Sequence, residues 1–289
     1  MNNDFNTFAA ACLHRGIESI RLTGEIGRGS RAIVFAGFQE SLRRKVAVKL
    51  FPGGPHGDPA DECPARLEAI MLSTLDHPHL IRLIGYGELD DCCYIVMPLY
   101  EGGNLRTRIR QSGSPDGRMT PAACIDLLLP VLDALSYVHS RGMIHRDVKP
   151  SNILIDSRGI PCLADLGSAG AAGSFANAGS ALYLSPEQAA GESLDRRSDI
   201  YSLGLVLLEM AVPVLPVMAG SADDIIYCKR TAPEKFFTAA PGRIFPPIGE
   251  ALERIILTAT AVDPDNRYAD CRAFARDLAS LCPEVARYP

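Results

Sequence analysis

Between residues 22 and 97 the chain carries short alternating apolar runs, among them Ile33-Val34-Phe35, Val46-Ala47-Val48 and Tyr94-Ile95-Val96, separated by glycines and charged turns. Runs of this length and period predict strands. One stretch, 61–75, spaces its apolar residues for a helix instead, with Leu67, Ile70, Met71 and Leu75 expected on the buried side. After Gly102-Gly103 the period lengthens, and 124–139, 199–210 and 249–261 read as helices. The pattern predicts a small sheet carrying one helix, followed by a larger and mostly helical part.

The Gly102-Gly103 pair breaks both periods and marks the expected boundary between residues 22–101 and 102–289. Residues 1–21 read as a short amphipathic helical extension. Residues 167–179 are rich in Gly, Ala and Ser and lack a period, as a mobile functional loop would. There are no internal repeats.

At 289 residues and 47% hydrophobic composition, the chain can bury one large core or two lobes sharing a cleft. Its formal charge of −5 supplies no basic field, so no nucleic-acid partner is expected. Nine cysteines form no CxxC pair, and Cys92 and Cys93 are adjacent. That usage fits a reducing, cytoplasmic setting better than a disulfide framework. The first twenty residues carry Asp4, His14, Arg15 and Glu18 and do not read as a signal peptide. The most membrane-like stretch, 203–219, contains Glu209, Pro213 and Pro216. It falls short of ~20 uninterrupted apolar residues and reads as a buried helix, so no membrane segment is expected within this chain.

Three segments carry chemistry. Gly27-Arg28-Gly29-Ser30-Arg31-Ala32 runs straight into the strand Ile33-Val34-Phe35. Its glycines would let backbone amides approach phosphate oxygens, although a plain turn between strands wants glycine too. In Val46-Ala47-Val48-Lys49 the alternation puts Ala47 and Lys49 on one face, and a lysine in that apolar setting needs an anion. Glu68 is the acid best placed to meet it, with Glu62 as rival. The densest signal is His145-Arg146-Asp147-Val148-Lys149-Pro150-Ser151-Asn152, then Ile153-Leu154-Ile155, then Asp165-Leu166-Gly167.

In this order the set resembles the signature of the protein kinase family, and the likeness covers residues 22–281. Tyr183-Leu184-Ser185-Pro186-Glu187-Gln188-Ala189 and Ser198-Asp199-Ile200-Tyr201-Ser202-Leu203-Gly204 are similar to the bacterial, eukaryotic-like (Hanks-type) serine/threonine members. The resemblance implies an α+β bilobal fold, with a small antiparallel sheet and one helix in the first lobe and a mostly helical second lobe. It also implies ATP and Mg²⁺, with protein serine or threonine hydroxyls as acceptors. Lys49, oriented by Glu68, would hold the α- and β-phosphates, while Asp165 and Asn152 would hold the metal. Asp147 would accept the acceptor hydroxyl's proton, with Lys149 near the transferred phosphate and Ser180 linking the two. Ile26, Gly27, Gly29, Val34, Ala47, Met97, Pro98, Tyr100 and Leu154 would surround the nucleotide, although Ala47 and Leu154 also suit an ordinary core. Leu72, Leu83, His145 and Leu166 would stack into an internal apolar column. Glu187 and Arg267 would form a buried ion pair, residues 179–187 would position the substrate, and Asp199 would start a central buried helix.

Four positions depart from the family pattern: Ala32 for the third loop glycine, Leu166 for Phe, Pro98 for an acidic residue, and Ser185 for Ala. None removes a catalytic group. Arg146 would contribute to a cationic pocket for an activation-loop phosphate, with Ser168 and Ser174 as the loop's hydroxyls and Ser174 as the expected autophosphorylation site. Transient self-association would serve that step. The competing readings are a pseudokinase that only binds partners, disfavoured by Lys49, Asp147, Asn152 and Asp165, and a small-molecule kinase, disfavoured by Lys149 and Pro186-Glu187.

Overall fold

The computed structural model describes residues 8, 10–13, 17, 19–29, 31–52, 64–89, 92–111, 118–166, 178–212, 214–218, 220–238 and 249–283. The rival acid Glu62, the loop residue Ser30 and the serines Ser168 and Ser174 lie outside them. The chain divides into two compact units, Met1–Asp76 with Leu80–Glu101, and His77–His79 with Gly102–Pro289.

The first unit is built on a five-stranded sheet in the order β1 (Ile20–Arg28), β2 (Ile33–Gln39), β3 (Arg44–Pro52), β5 (Cys92–Pro98), β4 (Gly85–Leu89), antiparallel throughout. Alternation sorts its side chains onto two faces. Ile33, Phe35, Val46, Val48, Leu50, Tyr94 and Val96 form one buried cluster, and Cys12, Ile17 and Ile20 from the amino end close it. Residues 10–13 are helical, and β1 begins at Ile20, ahead of the expected start at residue 22. On the opposite face the register pairs Val34 with Lys49, Ala36 with Ala47, Lys49 with Ile95 and Ala47 with Met97.

Helix α1 (Pro64–Ser73) packs against β3, β4 and β5. Its buried face differs from the expected one. Leu67 and Ile70 are 39% and 54% exposed, Met71 is half-buried, and the buried residues are Ala65, Glu68, Ala69 and Leu72, followed by Leu75. Those positions follow the i, i+3, i+4, i+7 spacing of a single stripe centred on Glu68. Spacing chose a face carrying two alanines and a carboxylate over the face with the larger apolar side chains. The carboxylate stays there because it finds a cation.

In the second unit α2 (Leu105–Arg110) and α3 (Pro121–Ser140) precede a β6 (Ile153–Ile155) and β7 (Pro161–Leu163) hairpin. The helices α4 (Ala178–Ala181), α5 (Pro186–Ala190), α6 (Arg197–Ala211), α7 (Ala222–Thr231), α8 (Glu250–Ala259) and α9 (Cys271–Ser280) follow. Thr120 caps α3 by accepting from the Ala123 amide, and Pro121 opens its first turn, so the helix starts before residue 124. By length and composition α3 could cross a membrane, but it holds Asp126, Asp133 and Pro130 and is largely buried within this unit, against α9 and β7.

Helix α6 is buried almost all round and packs against α3 and α8. Of the stretch 203–219 that reads as a buried helix, residues 203–211 form the end of α6, which stops at Ala211; the described residues after it, 212 and 214–218, are not helical. At Gly204 a Cβ would stand 2.8 Å from Ala259 Cβ and from Thr260 Cγ2. A Gly204→Ala variant gains about 1 kcal/mol of helix propensity yet overpacks the α6–α8 contact, so we expect a net loss of ~1–2 kcal/mol. A lowered urea midpoint at unchanged slope is the measurement that checks it.

Candidate active site

Each unit carries its own group of polar side chains. In the first, Lys49 Nζ donates to both carboxylate oxygens of Glu68, at 2.8 and 2.7 Å, with Glu68 buried. Lys49 also lies over the Phe51 ring, 5.2 Å from its centroid. The β1–β2 turn is closed by a bond from the Gly29 amide to the Ala32 carbonyl at 2.8 Å, and Gly27 pairs with Val34 across the strands. Ala32 contributes through its carbonyl, so its Cβ leaves the turn bond untouched. Ile26 is 54% exposed and Val34 half-buried, while Ala47 and Met97 line the Lys49 face. Pro98 ends β5 opposite Val46, and Tyr100 follows, half-buried.

In the second unit a loop from His145 to Asn152 is held from beneath by Asp199, which is fully buried in the first turn of α6. Asp199 accepts from the His145 amide at 2.9 Å and the Arg146 amide at 2.8 Å, and His139 Nε2 lies 2.7 Å from it. Arg146 has φ +67°, a left-handed conformation that costs a non-glycine residue about 1 kcal/mol or more. Both of its backbone polar groups are fixed, the amide by Asp199 and the carbonyl by Gln188 Nε2 at 2.9 Å. His145 accepts from the Asp147 amide at Nδ1 and donates through Nε2 to the Ala164 carbonyl at 3.1 Å. That second bond ties the loop to the residue before Asp165, itself left-handed at φ +68°.

On this scaffold the polar side chains converge. Lys149 Nζ donates to Asp147 Oδ2 at 2.6 Å and to Ser180 Oγ at 2.9 Å. Asn152 Nδ2 donates to the same Asp147 oxygen at 2.9 Å and to its carbonyl at 2.8 Å. Asp147 Oδ2 is thus doubly held, and Asn152 turns its amide oxygen elsewhere. Burial raises the Asp147 carboxyl above the ordinary aspartate range; Lys149 pulls against this, and the charge of Asp165 adds to it. Leu154 is half-buried in β6, where it pairs with Cys162 of β7. In the second unit His145 and Leu166 are buried, and in the first Leu72 is buried and Leu83 half-buried.

Glu187 and Arg267 meet in a bidentate pair, 2.7 and 2.8 Å, both nearly buried. Arg267 also donates to the carbonyls of Ala261, Val262 and Arg197, and Ser198 donates to Glu187. Burial alone would raise the Glu187 carboxyl, but the hydrogen bonds and charge of Arg267 outweigh it and leave it lowered. Its contribution to stability is therefore complete above the ordinary glutamate range and is lost as pH falls through the lowered value.

Some contributors escaped the sequence reading. Ser185 caps α5 in a reciprocal box with Gln188, at 3.3 and 3.0 Å, and that places the Gln188 amide on Arg146. The Ser185-Pro186-Glu187-Gln188 string carries this signal, since S-x-x-Q with proline at the first helical position is a capping-box pattern. His139 and Ser202 left no such trace, because their partners are distant in sequence.

The family model of the protein kinase domain matches residues 20–278, and the chain belongs to that family. It is 33% identical over 269 residues to the probable serine/threonine-protein kinase PknB of Lactococcus lactis, covering 90% of this chain and 41% of that protein. It is 35% identical over 268 residues to the serine/threonine-protein kinase PknL of Mycobacterium tuberculosis, covering 91% and 65%. With PrkC of Bacillus subtilis the figures are 36% over 259 residues, 88% and 39%. The sequence reading of a bacterial-style kinase and of an α+β kinase fold is borne out. The chain spans from 39% to 65% of the length of these curated relatives.

Removing one partner of the buried Glu187–Arg267 pair strands the other's charge. We expect Arg267→Met to cost about 3–5 kcal/mol of unfolding free energy. Chemical denaturation checks it, and a loss under 1 kcal/mol would contradict the role given to the pair.

Proposed function

We propose that the chain transfers the γ-phosphoryl group of ATP to serine or threonine hydroxyls of proteins. The observation that carries this reading is the convergence of Lys149 and Asn152 on Asp147 Oδ2, with Ser180 holding Lys149 from its other side. With Oδ2 held by Lys149 and Asn152, Oδ1 of Asp147 receives the proton of the acceptor hydroxyl. That hydroxyl oxygen bonds to the γ-phosphorus as the bond to the β–γ bridging oxygen breaks and ADP leaves. Lys149 offsets the charge that develops on the transferred group, and Lys49, fixed by Glu68, holds the other phosphates. Ile26, Gly27, Gly29, Val34, Ala47, Met97, Pro98, Tyr100 and Leu154 form the nucleotide's surroundings in this reading.

Mg²⁺ fits the donor set. Asn152 and Asp165 are oxygen donors of the kind taken by an ion that uses one or two protein oxygens and otherwise phosphate and water. Asn152, its Nδ2 engaged with Asp147, offers Oδ1, and Asp165 offers its carboxylate. Bound there, the cation would supply charge neutralisation at the phosphates.

Arg146 Nε is buried without a hydrogen-bond partner among the described residues, which supports a phosphate-accepting role for this arginine. We assign Ser174 as the residue that supplies the phosphate, through transient self-association and autophosphorylation, with Ser168 as the loop's other hydroxyl. A cytoplasmic setting is our reading of the cysteine usage, nine cysteines without a CxxC pair and two of them adjacent.

Substitution tests the mechanism. Asp147→Asn should leave ATP affinity within about twofold and lower kcat by about 10²–10⁴-fold, whereas Lys49→Met should impair nucleotide positioning and turnover together. Transfer of labelled phosphate from ATP to a degenerate serine/threonine peptide library is the assay; wild-type turnover by Asp147→Asn would remove it as the base. Because the raised Asp147 carboxyl must be ionised to act, kcat/KM should fall on acidification. Lys149→Ala removes an influence that lowers this carboxyl, so in its residual activity the acidic limb should move to higher pH. A limb that stays in place would dissociate Asp147 from the proton transfer.

A further inference from the structure

Lys229 is the most deeply buried lysine among the described residues, 1% exposed, on the inner face of α7 with Ile225. Its amine donates to the carbonyl of Leu182 at 2.6 Å and to that of Leu184 at 2.5 Å. The carbonyl between them, on Tyr183, accepts from Ser202 Oγ of α6 at 2.8 Å. The amides of Tyr183 and Leu184 turn back to Ser180 and Ala181, at 3.1 and 3.3 Å. The Tyr183 hydroxyl is taken by Arg106 Nη2 at 2.7 Å and by Glu209. Three consecutive carbonyls are thus drawn inward by side chains from two helices.

The place of this segment gives the anchoring a consequence. Its start, Ser180, is hydrogen-bonded to Lys149, which holds Asp147, and its end is fixed by Glu187 on Arg267 and Gln188 on Arg146. Because Ser180 reaches Asp147 through Lys149, the phosphoryl-transfer reading takes a polypeptide that brings a hydroxyl to Asp147 past residues 180–185. The shape of that stretch is set by side chains outside it, since its own short helix α4 ends at Ala181.

A buried amine is costly, and a methionine would fill similar space without desolvating a charge. Burial pushes the Lys229 amine well below its usual range, with Cys228 and Glu187 pulling it back up and Arg267 adding to the drop. Phe236 and Tyr201 flank it, with ring centroids at 4.0 and 5.1 Å. A neutral amine has two N–H donors and finds two carbonyls; a charged one turns its third toward an aromatic face. In either form its hydrogen-bonding capacity is directed at the segment.

We propose that Lys229 is a positioning residue for the protein acceptor: with Ser202 it fixes the backbone of residues 182–184 and so sets how tightly the acceptor chain docks. The proposal rests on the phosphoryl-transfer reading above. It assigns Lys229 no contact with nucleotide or metal.

Lys229→Met and Ser202→Ala are measured beside wild type, using the peptide that wild type phosphorylates fastest from a degenerate serine/threonine library. Lys229→Met should raise the KM for peptide about tenfold and Ser202→Ala about threefold, because each leaves buried carbonyls without a donor. The KM for ATP and the slow hydrolysis of ATP without peptide should stay within about twofold of wild type, the mark of an effect confined to acceptor docking. Hydrogen exchange at the Tyr183 and Leu184 amides should accelerate in both variants. An unchanged peptide KM in a protein whose wild type transfers phosphate would overturn the role of Lys229 alone. A matching loss in peptide transfer and peptide-free hydrolysis would also overturn it, by showing a merely structural lysine. Wild type that transfers nothing would remove the phosphoryl-transfer reading, and this inference with it. Should Lys229→Met fail to fold, Ser202→Ala decides by the same criteria.

Discussion

The second unit depends on one buried carboxylate. Asp199 has no water to solvate it, so it must be satisfied by protein donors, and it takes them from the backbone of His145 and Arg146. These amides belong to the loop that ends in Asp147, Lys149 and Asn152. Holding them sets the direction of the chain into that group, and it stabilises a left-handed arginine that would otherwise relax. The desolvation cost of one aspartate is offset by hydrogen bonds that also impose a conformation the loop would not adopt alone.

The same logic recurs at three other buried ionisable groups. Glu68 is tolerated on the inner stripe of α1 because Lys49 meets it, Glu187 because Arg267 does, and Lys229 because two carbonyls and two rings surround it. In each case the group sits on a helix and its partner on a different segment. Such pairs are modest sources of stability, since apolar replacements often do as well. What they contribute is geometry: each fixes the distance and orientation of a segment that packing alone would leave to slide.

Much of the candidate site was legible because its residues are local in sequence. Asp147, Lys149 and Asn152 lie within six positions, so one turn brings them near one another once Asp199 and Gln188 fix its direction. The strand lysine was legible from period-two alternation, which the β2, β3 and β5 register reproduces. The inner face of α1 was misread because residue size was weighed above spacing. Leu67 and Ile70 are large and apolar, yet the stripe that faces the sheet runs through Ala65, Glu68, Ala69 and Leu72. Ser185 departs from the family pattern, and its hydroxyl and the Gln188 amide close a capping box that reaches Arg146.

By itself the amino-acid order determined the family, the sheet-then-helices layout and the candidate groups for chemistry, because strand period, helix period and short motifs are properties of neighbouring residues. Only the tertiary structure decided which distant partner satisfies each buried polar group: Gln188 for the carbonyl of Arg146, His139 beside Asp199, Lys229 for the carbonyls of residues 182 and 184. No local pattern encodes those choices. They are settled when packing excludes water and every donor and acceptor left inside must find a counterpart from whatever element lies within reach.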